Sequence, residues 1–243
     1  MTDQPQSNRT TQWTCIAVAI CLPTAVTFVY FVLAAGYSTT WQQIAFIGGK
    51  LTQLLLPFVW VVGIQRRPLR IGAWLAPRLW TAIMFGLAIG AAMLVLYFAW
   101  LRSTPIVELA ARAVREKIDG FAIDTAAKYF CLAVSNCVVH SLFEEYYWRW
   151  FVFGQLRERT SIVPAILISS LGFMAHHVLV LGLFFGWGSP ATYCFSLCVA
   201  VGGAVWAWLY EKSGSLVPPW MSHLLIDGAI FIIGYDLATP LFG

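Results

Sequence analysis

Charge is scarce in this chain. Only 11% of its residues are Asp, Glu, Lys or Arg, 60% are hydrophobic, and the mean hydropathy is +0.75. A soluble globular domain carries roughly 25% charged residues, so this composition excludes one and fits a polytopic membrane protein. Paired cysteine motifs are also lacking. Cys15, Cys21, Cys131, Cys137, Cys194 and Cys198 all fall in apolar runs and form no C-x-x-C, which argues against a disulfide framework or a zinc knuckle. They read as small apolar packing residues. No H-E-x-x-H occurs, so an ordinary zinc-protease helix is absent. There is no internal repeat or low-complexity tract. The net charge of +4 sits mainly on loops and reads as topology, so no nucleic-acid partner is implied.

Long apolar runs are what the chain has instead. A bilayer core of about 30 Å needs roughly 20 helical residues to cross it. The runs that qualify are Trp13 to Tyr37, Trp41 to Gly63, Leu79 to Leu101, Tyr129 to Leu156, Ser161 to Gly186, Ala191 to Tyr210 and Leu216 to Tyr235. They far exceed the roughly 10 alternating residues of a membrane β-strand. The expected fold is therefore all-α, with about seven transmembrane helices, or eight with an interfacial one. The polar leader MTDQPQSNRTTQ precedes an uncharged run longer than a signal-peptide core, so the first helix is expected to remain as an anchor. Residues 1–128 are expected to form N-terminal helices and an amphipathic connection, and residues 129–243 a C-terminal helix bundle. Within the connection, Ile106, Ala110, Ala113, Val114 and Phe121 mark the apolar face of a helix lying on the membrane.

Basic residues set the orientation. Arg9, the loop IQRRPLR with Arg78, RERT and EKSG together hold eight of the 15 lysines and arginines, whereas the alternate short connections STT and GWGSP hold none. This places the N-terminus in the cytoplasm and the C-terminus outside a cell membrane. The connection from Arg102 to Lys128, with five basic residues, runs against the trend without reversing it.

The charges inside spans are Lys50, Glu144, Glu145, Arg149 and Asp227, joined by all four histidines, His140, His176, His177 and His223. An ionised group at mid-bilayer costs on the order of 3 kcal/mol, so such groups face a protein interior and mark function. Helical positions four apart share a face, while neighbours diverge by about 100°. Glu145 and Arg149 can therefore pair, leaving Glu144 free on the stripe of His140. His177 shares a face with Phe173, and His223 with Asp227. His140 and His176 read as packed or hydrogen-bonded neighbours, Phe173 as packing, and Lys50 as a side chain that snorkels to the interface.

One carboxylate and two imidazoles from separate helices can activate water in two ways. A metal, Zn2+ being the natural choice, can bind Glu144, His177 and His223 and acidify a fourth-ligand water. Alternatively Glu144 acts as general base with His177, while His223 and Asp227 hydrogen-bond a developing oxyanion. Both describe hydrolysis within a membrane.

These residues resemble the CAAX protease and bacteriocin-processing family of intramembrane endopeptidases, also called the Abi family. Its E-E-x-x-x-R is similar to EEYYWR, its F-x-x-x-H to FMAHH ending at His177, and its H-x-x-x-N/D to HLLID. The resemblance covers Tyr129 to Tyr235. It implies that Glu144 and His177 activate water, that His223 and Asp227 bind the oxyanion, and that Glu145 and Arg149 support the site. The implied substrate is a membrane-associated peptide or protein, such as a prenylated C-terminal CAAX tail, and the partners are that substrate and membrane lipids. Three rival readings remain open: an ion- or proton-coupled transporter using the same residues as a relay, a haem-binding electron carrier ligated by His177 and His223, and a non-enzymatic factor with a relict site.

Overall fold

The computed structural model describes residues 9–68 and 73–242. The leader up to Asn8, and Leu69 to Gly72 of the basic loop, lie outside the described residues. Among the described residues every regular element is helical. Seven helices are long and apolar enough to span a membrane: α1 (Arg9–Leu33), α2 (Thr40–Ile64), α3 (Leu79–Ser103), then, after a shorter α4 (Pro105–Gly120), α5 (Ala126–Arg157), α6 (Ile162–Phe185), α7 (Pro190–Ser213) and α8 (Val217–Leu241). The protein is thus a multi-pass membrane protein with the expected set of spans. Local sequence explains several helix ends. Pro190 starts α7 behind Ser189, whose Oγ accepts from the Ala191 amide at 3.3 Å, and Gly214 closes it with φ +64°.

α5 is the central element. Its buried Tyr147, Trp148, Phe151, Val152, Phe153 and Leu156 pack with Phe173 of α6, Trp206, Ala207 and Leu209 of α7 and Ile226 of α8. Only the second half of α5 is enclosed in this way; Phe130, Val134 and Val139 in its first half are exposed. The N-terminal helices are tied to it by polar contacts: Tyr147 donates to the Ala19 carbonyl at 2.7 Å, Tyr146 to the Leu54 carbonyl at 3.1 Å, and Trp60 Nε1 to Gln155 at 3.1 Å. The outward belt is apolar, with Val95, Leu197 and Val201 each more than half exposed, as lipid-facing side chains should be.

α3 lies hard against α8 through small residues. A Cβ added at Gly86 would stand 2.8 Å from the Ser222 carbonyl, and one at Gly90 3.5 Å from Ala229 Cβ. This Gly-x-x-x-Gly spacing lets two backbones approach without a side chain between them.

Two expectations need correction. Of the cysteines, Cys15 is buried, Cys137 is half-buried and the other four are exposed, so most look outward to lipid instead of packing inside. α4 is amphipathic as expected, but its buried face is Val107, Ala110, Ala111 and Ile118, and Ile106 and Phe121 are exposed. It faces protein as well as membrane, with Arg115 Nε donating to the Leu237 carbonyl of α8 at 2.8 Å. That second surface selects a face rotated by about one residue from the purely lipid-facing one.

Candidate active site

The site is assembled on α5, α6 and α8. Glu145 and Arg149 pair as their spacing predicts, with Arg149 Nε 3.1 Å from Glu145 Oε2 and both side chains essentially inaccessible. The guanidinium lies over the rings of Phe173, at 4.7 Å, and Trp206, at 5.2 Å, so its flat faces are covered by π electrons where water cannot reach. Glu145 also has a partner that spacing on one helix cannot reveal: its Oε1 is 2.8 Å from Nδ1 of His223 on α8. A carboxylate only accepts, so His223 Nδ1 carries the proton, and Nε2 is turned toward the remaining acids. Glu144 Oε2 and Asp227 Oδ1 each lie 3.6 Å from that nitrogen. These separations are too long for hydrogen bonds. The imidazole itself is stacked on Trp206 at 4.1 Å, and Trp206 Nε1 donates to Ser222 at 3.0 Å, which fixes the ring plane.

Glu144 is the meeting point. Its other oxygen, Oε1, is 3.6 Å from His176 Nε2, so imidazoles from α6 and α8 flank the carboxylate on its two oxygens. His176 is buried and stacks on Trp148 with an interplanar angle of 5°. His177 is held by its Nδ1, which donates to the Phe173 carbonyl at 2.9 Å, leaving Nε2 for water or a ligand. Phe173 is packing, as expected, and serves as the shared wall of Arg149, His176, His177 and His223.

The structure therefore brings together Glu144, His177, His223 and Asp227, with Glu145 and Arg149 behind them. It adds His176, which the sequence reading made a packed or hydrogen-bonded neighbour. The signal for it was the adjacent pair His176–His177: a helix crossing a cluster can offer both neighbours when the acceptor sits between their directions. Among the described residues, the three donors close enough to hold an ion are Glu144, His176 and His177, with one donor atom each within 4.8 Å of the others. Nitrogen and oxygen donors of this kind suit zinc, and a ligand imidazole anchored through its other nitrogen to a carbonyl is the usual support. The residues fit such an ion, with His176 standing where sequence reasoning put His223. His223 Nε2 still borders the cluster, although its Nδ1 is committed to Glu145.

One further polar residue departs from expectation. Lys50 of α2 does not snorkel: its Nζ is 3.1 Å from His140 Nε2 on α5, and it lies over the rings of Phe143, at 5.2 Å, and Phe46, at 5.9 Å. His140 is in turn close enough to Glu144 for the two to interact electrostatically.

Residues 126–229 match the family described as Rce1-like, type II CAAX prenyl endopeptidase Rce1-like. No curated protein and no solved structure matches the chain. The matched segment contains Glu144, Glu145, Arg149, His176, His177, His223 and Asp227 and leaves out Lys50.

Proposed function

Taking as premise that residues 126–229 belong with the type II CAAX prenyl endopeptidases, we propose that this chain is an intramembrane endopeptidase. It hydrolyses a peptide bond near the end of a membrane-associated, lipid-modified substrate. The observation that carries this reading is the placement of Glu144, whose two oxygens each face an imidazole at 3.6 Å, one from α6 and one from α8. Neither imidazole is closed onto the carboxylate as a hydrogen-bonded pair, so its oxygens keep acceptor capacity for a water bound alongside them.

In this reading Glu144 takes a proton from water, whose oxygen bonds to the scissile carbonyl carbon. His177, anchored by Phe173, accepts a hydrogen bond from the same water and holds it in line. Charge developing on the carbonyl oxygen is met by His223, which donates from Nε2 when both its nitrogens are protonated, and by Asp227 when its carboxyl carries a proton. Glu145 and Arg149 hold the His223 ring. When the C–N bond breaks, Glu144 passes its proton to the departing amine, leaving one new carboxyl and one new amino terminus. A zinc ion held by Glu144, His176 and His177 would supply Lewis acidity and a more acidic water. With the ion Glu144 would be a ligand and without it the base, so its carboxylate is required either way.

The proposed setting is a cell membrane with the N-terminus cytoplasmic. Comparative proteomics of membrane fractions from cells with the wild-type protein and with Glu144→Ala tests the reading on native substrates. Proteins that lose a short C-terminal segment only with the wild type support it. Identical C-termini in both, for every prenylated protein detected, would overturn it.

A further inference from the structure

Away from the site on α5, α6 and α8, a cavity of about 1060 Å³ lies between α1, α2, α4 and α6. No residue lining it is a residue of that site. α4 contributes Ala113, Lys117 and Gly120, at the i, i+4, i+7 spacing that puts side chains on one helix face. Two of the three are small, and a Cβ added at Gly120 would meet nothing within 4 Å, so the space in front of Lys117 is open. The ammonium of Lys117 lies over the rings of Phe31, at 4.7 Å, and Tyr30, at 5.4 Å. Burial lowers its pKa from the ordinary lysine value, and among the described residues no carboxylate acts in the opposite direction. Glu116 lines the same cavity but is exposed, and no ion pair joins it to Lys117. Lys128, in the same connection, has its own partner, Asp124, at 2.7 Å.

The depth of the cavity says what kind of anion suits it. Tyr30 and Phe31 are in the last turn of α1, Gln42 and Gln43 in the first turn of α2, and Leu183 and Phe184 in the last turn of α6. Spans enter and leave the membrane at this level, where lipid headgroups lie. Gln42 donates one amide hydrogen to the Tyr37 carbonyl at 3.1 Å and has a second to give. Phe46 and Ile47 carry the lining one turn further into the membrane, about 6 Å at 1.5 Å per residue. Cation and amide at headgroup level with an apolar wall running inward match an amphiphile with an anionic head. A soluble anion would make no use of that wall, and a zwitterionic lipid brings its own cation to its phosphate.

We propose that this cavity binds one anionic phospholipid, with its phosphate on Lys117 and the Gln42 amide and one acyl chain along Phe46 and Ile47. The site is separate from the catalytic one and does not depend on the endopeptidase reading.

The test titrates the full-length protein, in an uncharged detergent, with short-chain phosphatidylglycerol or with phosphatidylcholine of the same chains, and takes an apparent Kd from the rise in melting midpoint. Phosphatidylglycerol should bind the wild type more tightly by on the order of tenfold, the worth of a charge-assisted hydrogen bond. Lys117→Met should remove that preference and Lys117→Arg keep most of it. Lys128→Met, which deletes a lysine that is already paired, should keep it in full. Ala113→Leu, which fills the cavity and leaves the charge, should weaken both lipids. Equal binding of the two lipids by the wild type would overturn the proposal without needing any variant. So would a preference that persists in Lys117→Met or disappears in Lys128→Met, or unchanged binding in Ala113→Leu. Stabilisation by inorganic phosphate equal to that by phosphatidylglycerol would also overturn it, by showing a site for a free anion only.

Discussion

Glu144 and Glu145 are neighbours with different environments, and most of the site's behaviour stems from that difference. Glu145 has no exposed surface and holds both Arg149 and His223. Replacing it with Gln leaves a buried guanidinium without its counter-charge, at a cost of about 3 kcal/mol or more. Thermal melts should show a lowered midpoint for Glu145→Gln and partial recovery in Glu145→Gln with Arg149→Met. No recovery in the double variant would mean that the ion pair is not what Glu145 stabilises. His176 offers a second residue-scale prediction. His176→Phe keeps the stack on Trp148 but removes the nitrogen facing Glu144. It should melt like the wild type and cleave at least about tenfold more slowly, as expected when an imidazole facing the reacting carboxylate is lost. A wild-type rate would return His176 to packing. The four-residue spacings made the Glu145–Arg149 and His223–Asp227 pairs legible in the sequence. The contacts of Glu145 with His223 and of Lys50 with His140 join different helices, and no spacing within one span can reveal them.

At the scale of elements, α5 departs from the regular geometry that stripe arguments assume. It is wound as wide π-type turns at Asn136–His140 and Tyr146–Phe153, and each such turn inserts a residue and rotates the helix beyond it. Glu144 and Glu145 sit on the short regular stretch Ser141–Glu145 between them. Arg149 lies inside the second of these segments and still reaches Glu145 at 3.1 Å, so that pair was readable from spacing, while the direction of residues further along α5 was not. Wide turns of this kind are frequent at functional sites. The element most exposed to a single change is the α3–α8 contact. The backbone of Ser222, next to His223, leaves no room for a Cβ at Gly86, so Gly86→Ala must push α8 aside. We expect a loss of about 1–3 kcal/mol, as for other overpacked contacts, and a larger fall in cleavage than Gly90→Ala produces. Melting and rate measurements on the two variants check this, and equal, mild effects would show that α8 is free to shift.

For the whole molecule, composition and run length made the helical membrane fold legible, because bilayer thickness sets span length regardless of side-chain detail. Which face of each helix meets lipid and which meets protein was not, since both surroundings are apolar. That is why the buried side of α4 and the places of the cysteines differ from expectation. The distribution of basic residues makes the proposed orientation testable. In a background without native cysteines, Cys at Ser189 should react with an impermeant thiol reagent from outside, and Cys at Ser213 only after the membrane is opened. Labelling of both from one side would contradict the crossing of α7 between them and with it the seven-span arrangement. The account as a whole stands on water activated by Glu144 inside the bundle. The most direct measurement is mass spectrometry of a farnesylated peptide incubated with purified wild type or Glu144→Gln, each reconstituted in liposomes and matched for melting temperature. The account predicts that the wild type releases the last few residues and that Glu144→Gln, equally folded, does so slower by a factor of about 10² to 10⁴, the usual worth of a general base. Cleavage by Glu144→Gln at the wild-type rate would contradict it.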